Sequence, residues 1–342
     1  LVVEETCNFF SISLWLTVEI GANAEMSMAR VGKFLACAAA LVPHPMTRRS
    51  YARHAGLVGV ALCALIACGL ARADWVVDGD AGLVHDSNLT RAANGDAIRG
   101  DYAWTAYGSL GYAFVPASSD TLTLVADIAA ERYGRYRALD HVALGVRAFY
   151  RHKLGVGSDV PYLAVALAAS RDVYRDDPRD SDRADGYVEL GRRFDATFDT
   201  AIGGGFDRRL QRRSESLVPG ISGNVFDLRG RSAWWRTSYA LTGDVELGAR
   251  VSVRRGDVES TAHQSFAIFR ASDAIAEDSA FGDDELYAYR LRGTTWTAGA
   301  TLSWALSSRA AINGGYADER TRAAEGLDYR SRVVRISLSY RL

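Results

Sequence analysis

The sequence predicts an all-β protein, an antiparallel transmembrane β-barrel of about twelve strands. Three observations lead there. Strand-length stretches from residue 75 onward alternate apolar and polar side chains, the period of two that puts successive side chains on opposite faces of a strand. The connectors between them alternate between tight turns and long polar loops. Beyond residue 73 no apolar run reaches the ~20 residues that a spanning helix needs.

Composition sets broad limits. The 342 residues are 48% hydrophobic and 24% charged, with a formal net charge of -1. A barrel tolerates such totals, because its lumen and loops are polar and one face alone meets lipid. Near-neutral charge argues against a general nucleic-acid binder, which carries a basic excess. All four cysteines, Cys7, Cys37, Cys63 and Cys68, lie in the first 68 residues, so no cysteine framework reaches the alternating region.

Residues 46–73 read as a secretory signal. Arg48, Arg49 and Arg53 give the positive start, residues 55–70 the apolar stretch, and Ala71, Arg72 and Ala73 a small-x-small cleavage site before Asp74. The apolar stretch is too short for a span. Two rival details are present: Leu65-Ile66-Ala67-Cys68 is similar to a lipoprotein box, and Thr47-Arg48-Arg49-Ser50-Tyr51 partly resembles a twin-arginine signal. Residues 1–45 show no fold pattern and precede a complete signal, so we read them as upstream translation or disorder. Met28 is an alternative start. The exported part is residues 74–342.

The strands follow in order. The first is expected over residues 75–87, and the second carries Tyr102, Trp104, Leu110, Tyr112 and Phe114. The third sets Leu122, Leu124, Ala126 and Ile128 against Thr123, Asp127 and Glu131. The fourth sets Val142, Leu144, Val146 and Tyr150 against Arg147, Arg151 and Lys153. Leu163, Val165 and Leu167 mark the fifth. The sixth is weaker, around residues 187–194, and the seventh spans about 197–213. Trp235, Thr237, Tyr239 and Leu241 mark the eighth. The ninth sets Leu247, Ala249, Val251 and Val253 against Glu246, Arg250, Ser252 and Arg254. The tenth sets Trp296, Ala298, Ala300, Leu302 and Trp304 against Thr295, Thr297, Thr301 and Ser303. The eleventh covers residues 310–317. In the twelfth, Val334, Ile336, Leu338, Tyr340 and Leu342 alternate with Arg335, Ser337, Ser339 and Arg341. This last strand is expected to pair back to an earlier one and close the ring.

Tight connectors are expected at residues 116–120, 155–159, 195–197, 242–244 and 307–309. Long ones are expected at 88–100, 132–140, 174–183, 214–231, 256–285 and 319–328. Short turns at one end and long loops at the other are the pattern of outer-membrane barrels. A soluble β-sandwich or lipocalin-like barrel would share the alternation. Aromatic residues near strand ends (Tyr112, Phe114, Trp235, Trp304, Tyr340) favour membrane girdles instead.

On these grounds residues 74–342 resemble Gram-negative outer-membrane β-barrel proteins in the porin-like sense. The most specific motif is the final Ile336-Ser337-Leu338-Ser339-Tyr340-Arg341-Leu342. The family's assembly signal usually ends in an aromatic residue; here Tyr340 stands two before Leu342. The resemblance implies an outer-membrane location, outer-membrane lipid around the barrel, and recognition by the barrel-assembly machinery. It implies no cofactor.

Candidate chemistry concentrates in the inward phase. Asp127, Glu131, Arg147, Arg151, Lys153, Glu189, Arg193, Glu246, Arg250, Arg254 and Arg335 are expected to line the lumen. Opposed charges there can line a small aqueous pore that filters solutes by sign, or pair across the lumen and seal it. His85, Ser87 and Asn88 form the one catalytic-looking cluster, with His85 and Ser87 in the same phase. Outer-membrane phospholipase A has a comparable His-x-Ser-Asn stretch followed by glycine, where this chain has Leu89. Turn formation accounts for Asp86, Ser87 and Asn88 equally well.

The segment 256–285 holds Asp257, Glu259, Asp273, Glu277, Asp278, Asp283 and Asp284 at irregular spacing, which suits a solvated loop better than a Ca²⁺ site. Its apolar patch, Phe266-Ala267-Ile268-Phe269, is a candidate to fold into the barrel mouth. Gly203-Gly204-Gly205 lacks the Lys-Ser/Thr of a phosphate loop and fits a curved wall. The expected role is a narrow passive pore for small solutes. The alternatives are a non-conducting structural or surface-export accessory barrel and, third, an acyl-ester hydrolase.

Overall fold

The computed structural model describes residues 73–342 except positions 94, 215, 218, 283 and 284. Residues 1–72, with all but the last residue of the expected signal and with all four cysteines, lie outside the described residues.

Thirteen strands form one sheet. They are β1 (Ala73–Asp86), β2 (Asp101–Ala117), β3 (Asp120–Tyr133), β4 (His141–Lys153), β5 (Tyr162–Tyr174) and β6 (Ser181–Arg193). Next come β7 (Phe198–Gln211), β8 (Leu228–Ala240), β9 (Val245–His263) and β10 (Ala274–Glu277). Last are β11 (Leu286–Ala305), β12 (Ala310–Ala323) and β13 (Asp328–Arg341). Neighbours pair antiparallel, β9 pairs directly with β11, and β13 pairs with β1, so twelve strands make a closed ring. Closure leaves no bare edge to satisfy within lipid.

β10 stands outside the ring. It pairs with residues 287–290 of β11, beyond the point where β12 begins at Gly293↔Ala323. This thirteenth strand was not expected, and the segment 256–285 is not all loop. β9 runs on to His263, a short helix α1 (Phe266–Ala271) follows, and β10 folds back onto β11. At the foot of this extension Gly230, Gly256 and Gly293 pair across β8, β9 and β11. A Cβ at Gly256 would come within 2.2 Å of the Arg229 carbonyl oxygen, so the close approach of backbones requires glycine there.

The alternation sorts the two faces as expected. Leu247, Val251, Leu302, Ile336 and Leu338 are exposed on the outer wall, while Thr297, Asn313, Ser337 and Ser339 are buried inside. Aromatic side chains fringe this apolar belt at both ends. Trp75, Tyr239, Trp304 and Tyr340 lie toward the short turns, and Tyr102, Trp104, Trp296 and Tyr316 toward the long loops. Trp296 and Trp304 are separated by eight steps of β11. At ~3.4 Å per residue and a tilt near 40°, that is about 20 Å along the barrel axis, close to the ~25 Å apolar band of outer-membrane barrels. No described helix is long and apolar enough to cross a membrane; the strands cross instead. The protein is an outer-membrane-type β-barrel by architecture.

Candidate functional site: a charged lumen under a loop cap

The long-loop mouth is covered by a cap with its own apolar core. Residues 87–100, the turn 134–140 and the segment 264–285 contribute Ala92, Ala97, Tyr136, Leu139, Ile268, Ile275, Ala280 and Phe281. These pack on Val84, Tyr133, Leu286, Leu291 and Val333 of the barrel wall. Tyr136 meets Phe281 edge-on at 5.1 Å. The segment after β1 crosses to β9, where the Thr90 carbonyl accepts from Thr261 N (2.7 Å) and the Arg91 carbonyl from Ser260 Oγ (2.8 Å). Asn88 holds the crossing in shape. Its Nδ2 donates to the Ala92 and Arg330 carbonyls, and its Oδ1 accepts from Thr90 Oγ1 and Ala92 N.

A second crossing comes from the turn after β5. Arg179, 3% exposed, donates Nη1 to Glu259 (2.8 Å) and Nη2 to both oxygens of Asp278 (2.9 and 2.8 Å). Its guanidinium lies over the ring of Phe226 at 4.4 Å. Burial opposes its charge, but the Asp278 and Glu259 carboxylates outweigh burial and raise its pKa. The nearby loop carboxyls Asp140, Asp176 and Asp180 are shifted upward by burial. Asp278 and Glu259, expected on a solvated loop, are thus tied into the cap. No group of three or more metal-ligating side chains occurs among the described residues.

Beneath the cap lie two cavities of about 230 and 180 Å³. Leu89, Thr90, Leu139 and Phe281 roof the first, which reaches down past Trp234, Arg250 and Arg254. The second reaches toward the short turns, past Asp127, Ser303, Asn313 and Ser339. Both are walled by Arg147, Arg183 and Asp185, so they meet at a charged waist. Around them ion pairs knit the wall. These include Asp80–Arg335 and Asp78–Arg341 (both 2.6 Å), Asp207–Arg254 (2.6 Å) and Glu189–Arg236 (2.7 Å).

All eleven residues assigned to the lumen by phase occupy strands of the ring, but they do different things. Asp127, Glu131, Arg147, Arg250, Arg254 and Arg335 border the cavities. Glu189 is buried and holds Arg236 and the Trp234 Nε1 (3.3 Å). Arg151 lies over the Tyr162 ring at 3.9 Å. Lys153, Arg193 and Glu246 sit at the short-turn ends of β4, β6 and β9.

Sequence reasoning missed Arg183, Asp185, Asp207 and Arg236, although each shares the inward phase of its strand. It also missed Arg91 and Arg179, which sit in connectors where no period exists to reveal them. The glycine run has a use that composition did not disclose. A Cβ at Gly203 would meet the Trp234 ring at 2.5 Å, so glycine makes the slot for that indole. Trp234 then stands between Tyr187, edge-on at 5.6 Å, and Arg250 at 4.9 Å.

His85, Ser87 and Asn88 each have other partners. His85 opposes the outward Val334 and rests on Tyr102, with ring centroids 4.5 Å apart. Ser87 Oγ accepts from Arg332 N (2.8 Å), and Asn88 is buried in the cap.

No family model matches this sequence, and no curated protein matches it. Similar solved structures include an outer-membrane channel from Pseudomonas putida F1, at 12% identity and TM-score 0.49, covering 78% of this chain and 95% of that one. The NanC porin is similar at 10% identity and TM-score 0.42, covering 78% and 100%. The β domain of the Bordetella autotransporter Brka is similar at 12% identity and TM-score 0.43, covering 79% and 100%. By its own closed ring, apolar outer belt and unequal connectors, the chain has the fold of a bacterial outer-membrane β-barrel.

Proposed function

We propose that this barrel is a narrow passive pore for small polar solutes, gated by the loop cap. The observation that carries the reading is the pair of charged cavities meeting at Arg147, Arg183 and Asp185. A lumen built only as a structural filler has no use for polar space. Charged walls around such space hold water, and water continuous with both ends is a conduction path. Mixed charge at the waist favours small polar or ionic solutes over apolar ones. Incorporation of the folded full-length protein into planar bilayers tests the proposal. Discrete current steps support it.

The cap favours a second reading, a non-conducting accessory barrel, because its apolar core and the Arg179 ion pairs cover the long-loop mouth. Electrically silent but correctly folded protein, silent also when the cap is loosened, would support that reading and end the first.

A further inference from the structure

Above the apolar belt, the outer wall of the barrel is basic on one side. Three pairs of arginines face each other directly across neighbouring strands: Arg208 and Arg229, Arg231 and Arg255, and Arg320 and Arg330. All six are exposed. Their phase is that of the lipid-facing Phe206, Trp235, Val253, Tyr316 and Val334 of the same strands, so they project outward. Like charges directly opposite in a sheet are destabilising. Carboxylates relieve the repulsion only in part. Asp257 lies 3.7 Å from Arg229, and Asp318 pairs with Arg330. The guanidinium groups of Arg208, Arg231, Arg255 and Arg320 make no hydrogen bond or ion pair among the described residues, although Asp318 also acts on Arg320 electrostatically.

Height and side narrow the partner. Arg255 is the next outward position above Val253, and Arg320 pairs directly with Trp296, at the aromatic edge of the belt. The guanidinium groups therefore lie at headgroup level in the leaflet nearer the long loops. In outer-membrane barrels those loops face the cell exterior. At the same height β1 to β4 present His85, Tyr102, Val142 and a single outward arginine, Arg132. On β5 and β6 the outward Arg171 is neutralised by Asp182 at 2.8 Å, so the uncompensated basic surface lies on the arc from β7 round to β13. A guanidinium fork matches phosphate oxygens. One phosphate between two opposed arginines turns their repulsion into a shared attraction.

We infer that this arc binds the phosphate groups of phosphorylated lipid in the exterior leaflet, fixing lipid to one side of the barrel. The test uses full-length protein folded in detergent. Wild type, the triple variant Arg208→Gln/Arg231→Gln/Arg255→Gln, the single variant Arg320→Gln and the control Arg132→Gln are compared. The probes are diphosphorylated lipid A, the same lipid with its phosphates removed, and inorganic phosphate. Lipid retention is read by native mass spectrometry, and barrel unfolding by heat-modifiable gel migration.

Wild type and Arg132→Gln should retain the diphosphorylated lipid. The triple variant should bind it about tenfold more weakly or less, and Arg320→Gln should show a smaller loss. Without lipid, the triple variant should unfold at the same temperature as wild type or higher, since repulsion is relieved. Equal retention by wild type and triple variant overturns the inference. So does equal retention of the dephosphorylated lipid, stabilisation by inorganic phosphate as large as by the lipid, or a lower lipid-free unfolding temperature in the triple variant. Should the triple variant fail to fold, Arg320→Gln against Arg132→Gln decides by the same criteria.

Discussion

Replacing Arg179 with alanine should loosen the cap and leave the barrel wall intact. The guanidinium is the only cation within bonding distance of Asp278 among the described residues, and it also neutralises Glu259. The side chain of Asp278 is 1% exposed, so its charge would be stranded away from water. Thr261 Oγ1 still donates to it at 2.6 Å, but a hydroxyl brings no compensating charge. Removing one partner of a buried ion pair costs about 3–5 kcal/mol. Because Arg179, Asp278 and most of their packing belong to connectors, that cost falls on local opening of the cap and not on unfolding of the ring.

At 1.4 kcal/mol per decade the opening equilibrium rises roughly 150- to 4,000-fold. Hydrogen exchange at the amides of Ile275 and Asp278, which donate to Ser222 and Leu286 carbonyls within the cap, reads that equilibrium directly. Acceleration of that size there, with unchanged exchange in β3, β4 and β5, is the expected result. Arg179→Lys should recover only part of the protection, because an ammonium cannot form the fork that grips Asp278 and Glu259 together. A change below about threefold at Ile275 and Asp278 would refute the idea that this ion cluster holds the mouth closed.

Four further outcomes are expected. Trp234→Ala removes the indole that projects between Tyr187 and Arg250, and should raise single-channel conductance in planar bilayers while the barrel still shows heat-modifiable migration. Arg147→Gln deletes a fixed positive charge at the waist and should shift reversal potentials in a salt gradient toward cation preference. Ile336→Arg puts a charge on a lipid-facing position that is 61% exposed, and should destabilise the barrel in bilayers by ~2–4 kcal/mol if that position lies near the midplane, measured by urea titration. Asp140, Asp176 and Asp180 have pKa values raised by burial in the fold. Their stabilising protonated form is fully present below the ordinary carboxylate value of 3.8 and is lost as pH rises through the raised values. After correction for intrinsic chemistry, cap amides should therefore exchange more slowly near pH 4 than near pH 7.

The outer wall was legible in the sequence because lipid imposes a strict period of two, as in β13 and in the lower parts of β9 and β11. The period fades where strands leave the belt. After Val253 the chain reads Arg254-Arg255-Gly256-Asp257, which looks like a loop although β9 continues to His263. The start of β6, Ser181 to Gly186, hides for the same reason: its outward positions are Asp182, Ala184 and Gly186, none of them large and apolar. Inward charges on clear strands, such as Arg147 and Arg250, were legible by phase alone. Arg236 obeys the same phase but follows two adjacent tryptophans, Trp234 and Trp235, which draw attention to the outer girdle. Arg91 and Arg179 were out of reach. Their partners Asp86, Glu259 and Asp278 are set by where connectors cross the mouth, which no local pattern encodes.

The seam between β1 and β13 joins Asp78 to Arg341, residues 263 apart along the chain. Until the final ribbon is delivered, the first one keeps a row of unanswered amides and carbonyls, an invitation to the wrong neighbour. Joining points so distant in sequence is slow. That flank stays open to pairing until the seam forms, and a chain cut short before residue 328 would offer it permanently to other copies of itself.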